Sequence, residues 1–373
     1  MTIYTIQRGD TLYGIARKFG VSVKDITDTN GLSSVNRLMI GQALVIPTEI
    51  KPTIQVNGYA YPTISDVTLA LTLPSLTFIS IFSYQVTSNG NLTPINDQRV
   101  IRAAKDSNTL PMLVLTNIGP TGRFDSDLAH EILANETVQE LLISNLITTL
   151  RNNGYAGVDI DFEYVYPMDK ELYNSFLEKV TTRLRQDDFI ITTALAPKVR
   201  ENQTGTLYEA HDYATHSRLA DHVIIMTYEW GYTYGPPMAV APINQVERVL
   251  QYATTVIPSK KILMGIPNYG YDWTLPYQQG RPAKSISNTA AIALAQEKGV
   301  EIKFDPVAQA PYFYYKDENN ALHVVWFEDA RSIKAKLNLV SKYELGGISF
   351  WTIMNYFPQA YAVLNSNYQI EKF

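Results

Sequence analysis

The sequence predicts a (β/α)8 barrel preceded by a small βααβ module. Three observations carry that expectation. Eight apolar, β-rich runs, at 53–61, 76–84, 110–117, 157–163, 189–195, 222–228, 261–266 and 347–353, alternate for the most part with stretches of helical periodicity. No glycine-rich phosphate loop follows the first run, which disfavours the main rival, an open doubly wound sheet. The first 48 residues make a pattern of their own, closed by a short linker over 49–52 that ends in Pro52.

Composition narrows the function classes. The 373 residues suit a barrel of about 250 or more plus a small module. With 46% hydrophobic and 18% charged residues, a large core is available and disorder is not expected. The net charge of −5 argues against a nucleic-acid partner, which needs a basic face. The absence of cysteine excludes disulfides, thiolate metal sites and a Cys nucleophile, and leaves the compartment open. The five histidines lack metal-ligand spacing, so neither a metal nor a cofactor is expected. The opening MTIYTIQRGD has no basic segment followed by an apolar run, and no stretch of about 18 apolar residues occurs. Neither a Sec signal nor a membrane partner is expected, and a monomer is.

In the N-terminal module, Ile3–Ile6 reads as a strand. Asp10 is placed to cap a helix over Thr11–Phe19 that Gly20 stops. Ser22, with Asp25 in the capping-box position, opens a second helix through Thr29, and Asn30-Gly31 ends it. Ala43–Ile46 returns as a strand before Pro47. This order, with RGDTLYGIARKFGV and then NGL…LMIGQALVIP, resembles a LysM module. The resemblance implies a shallow groove for N-acetylglucosamine-containing glycans, lying between Gly9, Asp10, Thr11 and Leu12 on one side and Leu38, Met39, Ile40 and Gly41 on the other. The plainer alternative is that these residues only build two tight turns.

From residue 53 onward, helices are expected over Glu136–Asn152, Lys170–Arg185, Ile243–Val256 and Ala330–Tyr343. The interval 271–329 is too long for one helix. It holds a helix at Asn288–Lys298, strand-like pieces at Ile302–Asp305, Tyr312–Lys316 and His323–Phe327, and a turn at Asp317–Asn320. A small α+β insertion forming one wall of a cleft is expected there.

The chemistry concentrates in Gly157-Val158-Asp159-Ile160-Asp161-Phe162-Glu163. Alternate strand residues share a face, so the three acids point one way and the three apolar residues the other. Same-face Cα atoms stand only about 6.6 Å apart. Mutual repulsion and desolvation then raise at least one carboxyl pKa. Glu163, the last of the row, reaches furthest out of the barrel mouth, where this fold places its catalytic groups, and a carboxyl kept protonated there suits a general acid. A Mg²⁺ or Ca²⁺ site is the alternative on ligand type.

GVDIDFEYV resembles the D-G-x-D-x-D-x-E signature of family 18 glycoside hydrolases, the chitinase-like barrels. Ile225-Met226-Thr227-Tyr228-Glu229-Trp230, Gly265–Gly270 and Gly346–Trp351 match further family landmarks in order, and the likeness spans about 53–373. It implies a retaining, substrate-assisted mechanism in which the sugar's own 2-acetamido oxygen is the nucleophile. Carried over, Glu163 is acid/base, Asp161 orients the acetamido group, Asp159 tunes Asp161, and Tyr228 binds the acetamido carbonyl. Trp351 floors the pocket, while Met226, Glu229, Asn268 and Tyr269 are substrate-binding candidates. Two departures stand out: Ala156 replaces the first signature Asp, and Glu229 replaces an Asp common after the Tyr. Segments such as PMLVLTNI (111–118), ITTALAPK (191–198) and VVWFEDARS (324–332) are similar to the LysM-bearing N-acetylglucosaminidases of spore-forming bacteria that degrade cortex peptidoglycan fragments. That implies peptidoglycan as partner and the spore coat or cortex as location, with the cytoplasm otherwise. A chitinase or a non-catalytic lectin on the same barrel are the alternatives.

Overall fold

The computed structural model describes residues 2–32, 34–35, 38–47 and 51–373, so part of the expected linker lies outside it. The chain divides into two compact units, Met1–Pro52 and Thr53–Phe373.

In the first unit, β1 (Thr2–Thr5) and β2 (Ala43–Ile46) pair antiparallel, with Tyr4 opposite Leu44. Helices Leu12–Phe19 and Val23–Asn30 lie between them in sequence. Ile6, Leu12, Ile15, Ala16, Ile26, Leu44 and Ile46 form the core. Asp10 is not the cap of the first helix. Thr11 is, its Oγ1 accepting from the Gly14 N–H at 3.0 Å. Asp10 sits one residue too early. Its carboxylate instead accepts from the Gln7 N–H at 2.7 Å and the Tyr4 hydroxyl at 2.8 Å, closing the turn in which Gly9 has φ 93°. The second helix has the expected capping box of Ser22 and Asp25 and ends at a left-handed Gly31.

The second unit is a closed barrel. β3 (Thr53–Ala60), β4 (Phe78–Gln85), β5 (Leu110–Thr116), β6 (Gly157–Asp161), β7 (Ile190–Leu195), β8 (His222–Ile225) and β9 (Ile262–Pro267) pair in sequence order, each parallel to the next. An insertion follows: β10 (Gly270–Leu275), β11 (Lys284–Ile286), β12 (Lys303–Asp305), β13 (Ala310–Lys316) and β14 (Leu322–Trp326), an antiparallel sheet with the helix Asn288–Glu297. Then β15 (Gly347–Trp351) pairs with both β9 and β3 and closes the cylinder. Finally β16 (Gln369–Ile370) lies beside the start of β3. β10 and β11 are not among the expected pieces; only two residues separate β10 from the seventh barrel strand.

The alternation of β6 sets the site. Val158, Ile160 and Phe162 face outward into the core shared with the helices, where Phe162 stacks on Tyr173 and Phe176. The inward set, including Tyr59, Phe78, Phe82, Met112, Val114, Ile224 and Leu263, packs the barrel interior. Gly157 is required where β6 meets β7: a Cβ there would lie 2.0 Å from the Ile190 carbonyl oxygen. Three strands end two or more residues earlier than expected, β15 at Trp351 among them. β6 stops at Asp161 and β8 at Ile225, and the chain beyond leaves the ladder to line the mouth. The insertion is tied down by a buried ion pair, in which Lys336 Nζ lies 2.9 and 2.8 Å from the two Glu328 carboxylate oxygens.

Candidate active site

At the C-terminal mouth of the barrel lies a pocket of about 460 Å³, within the range of ligand sites. Asp161, Glu163, Met226, Tyr228, Glu229 and Trp351 line it, gathered from the ends of β6, β8 and β15.

The three acids form the expected row but occupy different environments. Asp159 is fully buried in the barrel. Its Oδ1 accepts from Thr192 Oγ1 at 2.6 Å and its Oδ2 accepts from the Tyr59 hydroxyl. Burial pushes its pKa up to about 6, against the pull of those two donors. Asp161 is buried with one carboxylate oxygen lacking any partner. Burial, then the charges of Glu163 and Asp159, push it well above the ordinary carboxylate range. Glu163, past the end of the strand, is half-buried. Burial, then the charge of Glu229, pushes it up to about 7. An acid poised at that value both gives and takes a proton near neutrality.

Ala156, at the first signature position, packs against the barrel interior, so the proton-sharing chain begins at Asp159. Among the described residues no three His, Asp or Glu side chains gather as a cage for a metal ion, and the Asp159 oxygens are both held by hydroxyl groups.

Tyr228 reaches the pocket beside Gly265, where a Cβ would come within 2.8 Å of the Tyr228 ring and 2.6 Å of the Ile225 carbonyl oxygen. Trp351 stands edge-on to Phe82 at 5.0 Å and to Tyr59 at 5.2 Å, so an aromatic cage fixes its plane. Met226 lines the wall. Glu229 stands at the rim in a left-handed backbone conformation, φ 67°, and accepts hydrogen bonds from the Tyr269 and Tyr271 hydroxyls.

Two of the substrate-binding candidates sit outside the pocket lining. Asn268 is buried, and its amide donates to the Thr352 and Asn355 carbonyls, both at 2.8 Å, while its N–H donates to the Trp351 carbonyl at 2.9 Å. It therefore braces the loop that carries Trp351 and has no amide hydrogen left for a sugar. Tyr269 meets the pocket lining through its hydrogen bond to Glu229. The sequence reading missed Tyr59, Phe82, Phe124, Tyr164, Tyr208 and Tyr232, which also line the pocket. They come from loops and strands far apart in sequence, and only their aromatic character marks them.

In the N-terminal unit, the Gly41 N–H donates to the Ile6 carbonyl, which sets the 38–41 loop against the turn after β1. Met39 and Ile40 are exposed, at 71% and 68%, and Thr11 is exposed too. Leu12 is not available to a groove: at 2% exposure it belongs to the core, because the amphipathic helix turns it inward. Leu38 likewise packs against that core.

Residues 57–355 match the family described as Glycosyl hydrolases family 18, and residues 4–47 match the LysM domain. The chain belongs to glycosyl hydrolase family 18. It is a glycoside hydrolase with an N-terminal LysM domain. It is 42% identical to the cortical fragment-lytic enzyme of Bacillus anthracis, across 99% of both chains. It is 40% identical to that of Bacillus subtilis (strain 168), across 100% of this chain and 99% of the other. Among solved structures, the spore cortex-lytic enzyme SleL of Bacillus megaterium QM B1551 superposes with a TM-score of 0.86 at 39% identity, covering 100% of this chain and 87% of that one.

Proposed function

We propose that this hydrolase is a peptidoglycan N-acetylglucosaminidase that acts on fragments of spore cortex by substrate-assisted catalysis with retention of configuration. The observation that carries the reading is the inward row of Asp159, Asp161 and Glu163, graded from a fully anchored carboxylate to a proton donor at the pocket mouth. Full-length likeness to enzymes named for lysis of cortical fragments supports the substrate.

In this reading the acetamido group of the bound sugar lies over Asp161, which lines the pocket and whose carboxylate takes the acetamido N–H. That contact aligns the acetamido oxygen for attack on the anomeric carbon and stabilises the positive charge that develops. Tyr228 holds the acetamido group from the other side, and Trp351 supports the sugar ring. Glu163 gives its proton to the departing glycosidic oxygen. As a carboxylate it then draws a proton from the water that opens the oxazolinium ring, and the acid is restored. Met226 shapes the wall, and Glu229 contacts the sugar at the rim.

The LysM unit holds the enzyme on glycan through the exposed 39–41 loop and the Gly9–Thr11 turn. The enzyme works as a monomer at the spore coat or cortex, without nucleic-acid or membrane partners. A chitinase using the same chemistry is the second reading. Incubation with defined cortex muropeptides and with chitin oligomers separates the two. Release of products with N-acetylglucosamine at the reducing end from muropeptides is expected, and cleavage of chitin alone would overturn the proposal.

A further inference from the structure

Glu163 lies beyond the last rung of its strand. β6 ends at Asp161, and the chain turns away at Tyr164, which has φ 55°. No ladder bond therefore fixes the peptide planes on either side of the proton donor. Two side chains do so instead, one just past β5 and one from the loop that leads into the helix Tyr213–Leu219. Asn117 follows β5 directly. Its Oδ1 accepts from the Glu163 N–H at 3.0 Å, and its Nδ2 donates to the Glu163 carbonyl at 2.9 Å and to the Asp125 carbonyl at 3.1 Å. This reciprocal pair copies a strand rung with a side-chain amide.

On the β7 side, His211 Nε2 lies 2.9 Å from the Phe162 carbonyl, and its Nδ1 accepts from the Ala196 N–H at 2.8 Å. An Nδ1 that accepts leaves the proton on Nε2, which donates. Lys198 Nζ donates to the His211 carbonyl at 3.1 Å, and both residues are buried. The Phe162 carbonyl and the Glu163 N–H are the two ends of one peptide unit. It is gripped from both sides, by His211 and by Asn117.

We propose that Asn117 and His211 are positioning residues for Glu163, fixing the peptide plane from which its carboxyl is aimed at the glycosidic oxygen. Neither side chain lines the pocket, so each acts through Glu163. The proposal rests on Glu163 as the proton donor.

The test compares kcat/KM on two β-N-acetylglucosaminides, one with a sugar alcohol as leaving group and one with 2,4-dinitrophenolate, which departs without a proton. For Asn117→Ala, a loss of roughly ten- to a hundredfold is expected on the first substrate, the scale of a misplacement near 1 Å. On the second a loss under about threefold is expected, because there the donor is not needed. His211→Gln retains a donor at the Nε2 position and should stay within about threefold of wild type, whereas His211→Asn, which retains only the Nδ1 position, should fall with Asn117→Ala. Asn117→Asp keeps the side-chain volume but sets an acceptor against the Glu163 carbonyl, and should show the same leaving-group contrast if the alanine variant does not fold. Equal losses on both substrates, unchanged activity, or His211→Asn matching or exceeding His211→Gln would overturn the proposal. A wild-type enzyme that cleaves neither substrate would show that the N-acetylglucosaminidase reading had failed instead.

Discussion

Replacing Glu229 by Gln removes one negative charge facing the proton donor and leaves the shape of the rim unchanged. The amide oxygen can still accept from Tyr269 and Tyr271. Burial is the first cause of the rise in the Glu163 pKa from 4.5 to about 7, and the Glu229 charge is the second. The charge thus supplies the smaller share of that rise. The sign follows from the role. The donor must be protonated, so kcat/KM falls on the alkaline side as Glu163 ionises. Without the neighbouring anion it ionises more easily, and the alkaline limb moves to lower pH. A displacement of about one unit would cut the protonated fraction at pH 7 from about one half to about one tenth, a loss of roughly fivefold. The assay is the pH profile of kcat/KM for wild type and Glu229→Gln. The position of the limb separates electrostatics from any sugar contact that Glu229 makes, since a lost contact lowers the whole curve without moving it. An alkaline limb that stays in place, or moves upward, would refute the reasoning.

Lys336 and Glu328 form a buried pair at 0% and 1% side-chain exposure. Lys336→Met alone leaves a buried carboxylate unpaired and should cost about 3–5 kcal/mol in urea unfolding. The double replacement by Met should recover most of that loss, and a single variant as stable as wild type would contradict this account. Removing residues 1–52 should leave kcat/KM on soluble fragments within about twofold and weaken pull-down by insoluble peptidoglycan, since the two units have separate cores and linkage acts through effective concentration. Retained pull-down would relieve the LysM unit of its assigned role.

The barrel was legible because its signal is repeated. Each of eight strands is apolar, and β6 in particular separates its two faces cleanly, with Ile160 outward and Asp159 inward. The ends were less legible. The residues after Asp161 and Ile225 keep an alternating or apolar character, yet the mouth needs them to leave the ladder, and side-chain bonds such as those of Asn117 take over. What surrounds the acids was largely hidden. Tyr59 and Thr192 anchor Asp159 from β3 and β7, and nothing in either segment marks that contact until the cylinder closes. Asn268 misled because a polar residue beside a landmark motif invites a ligand role, whereas its neighbours in space are backbone carbonyls. Leu12 misled in the opposite way. It sits in a glycan-groove motif, but helical periodicity sends it to the core. His211 reads as an ordinary hydrogen-bonded core histidine, which it is, and only its place against Phe162 gives it a role.

In the proposed mechanism the acetamido group of the sugar, held against Asp161, is the nucleophile. The direct measurement is hydrolysis of an N-acetylglucosaminide beside the matched glucoside that lacks the acetamido group, with the anomer of the first product read by NMR. Cleavage of the acetamido sugar alone, with the β-anomer released first, is the expected result. Comparable turnover of the glucoside, or initial release of the α-anomer, would contradict it.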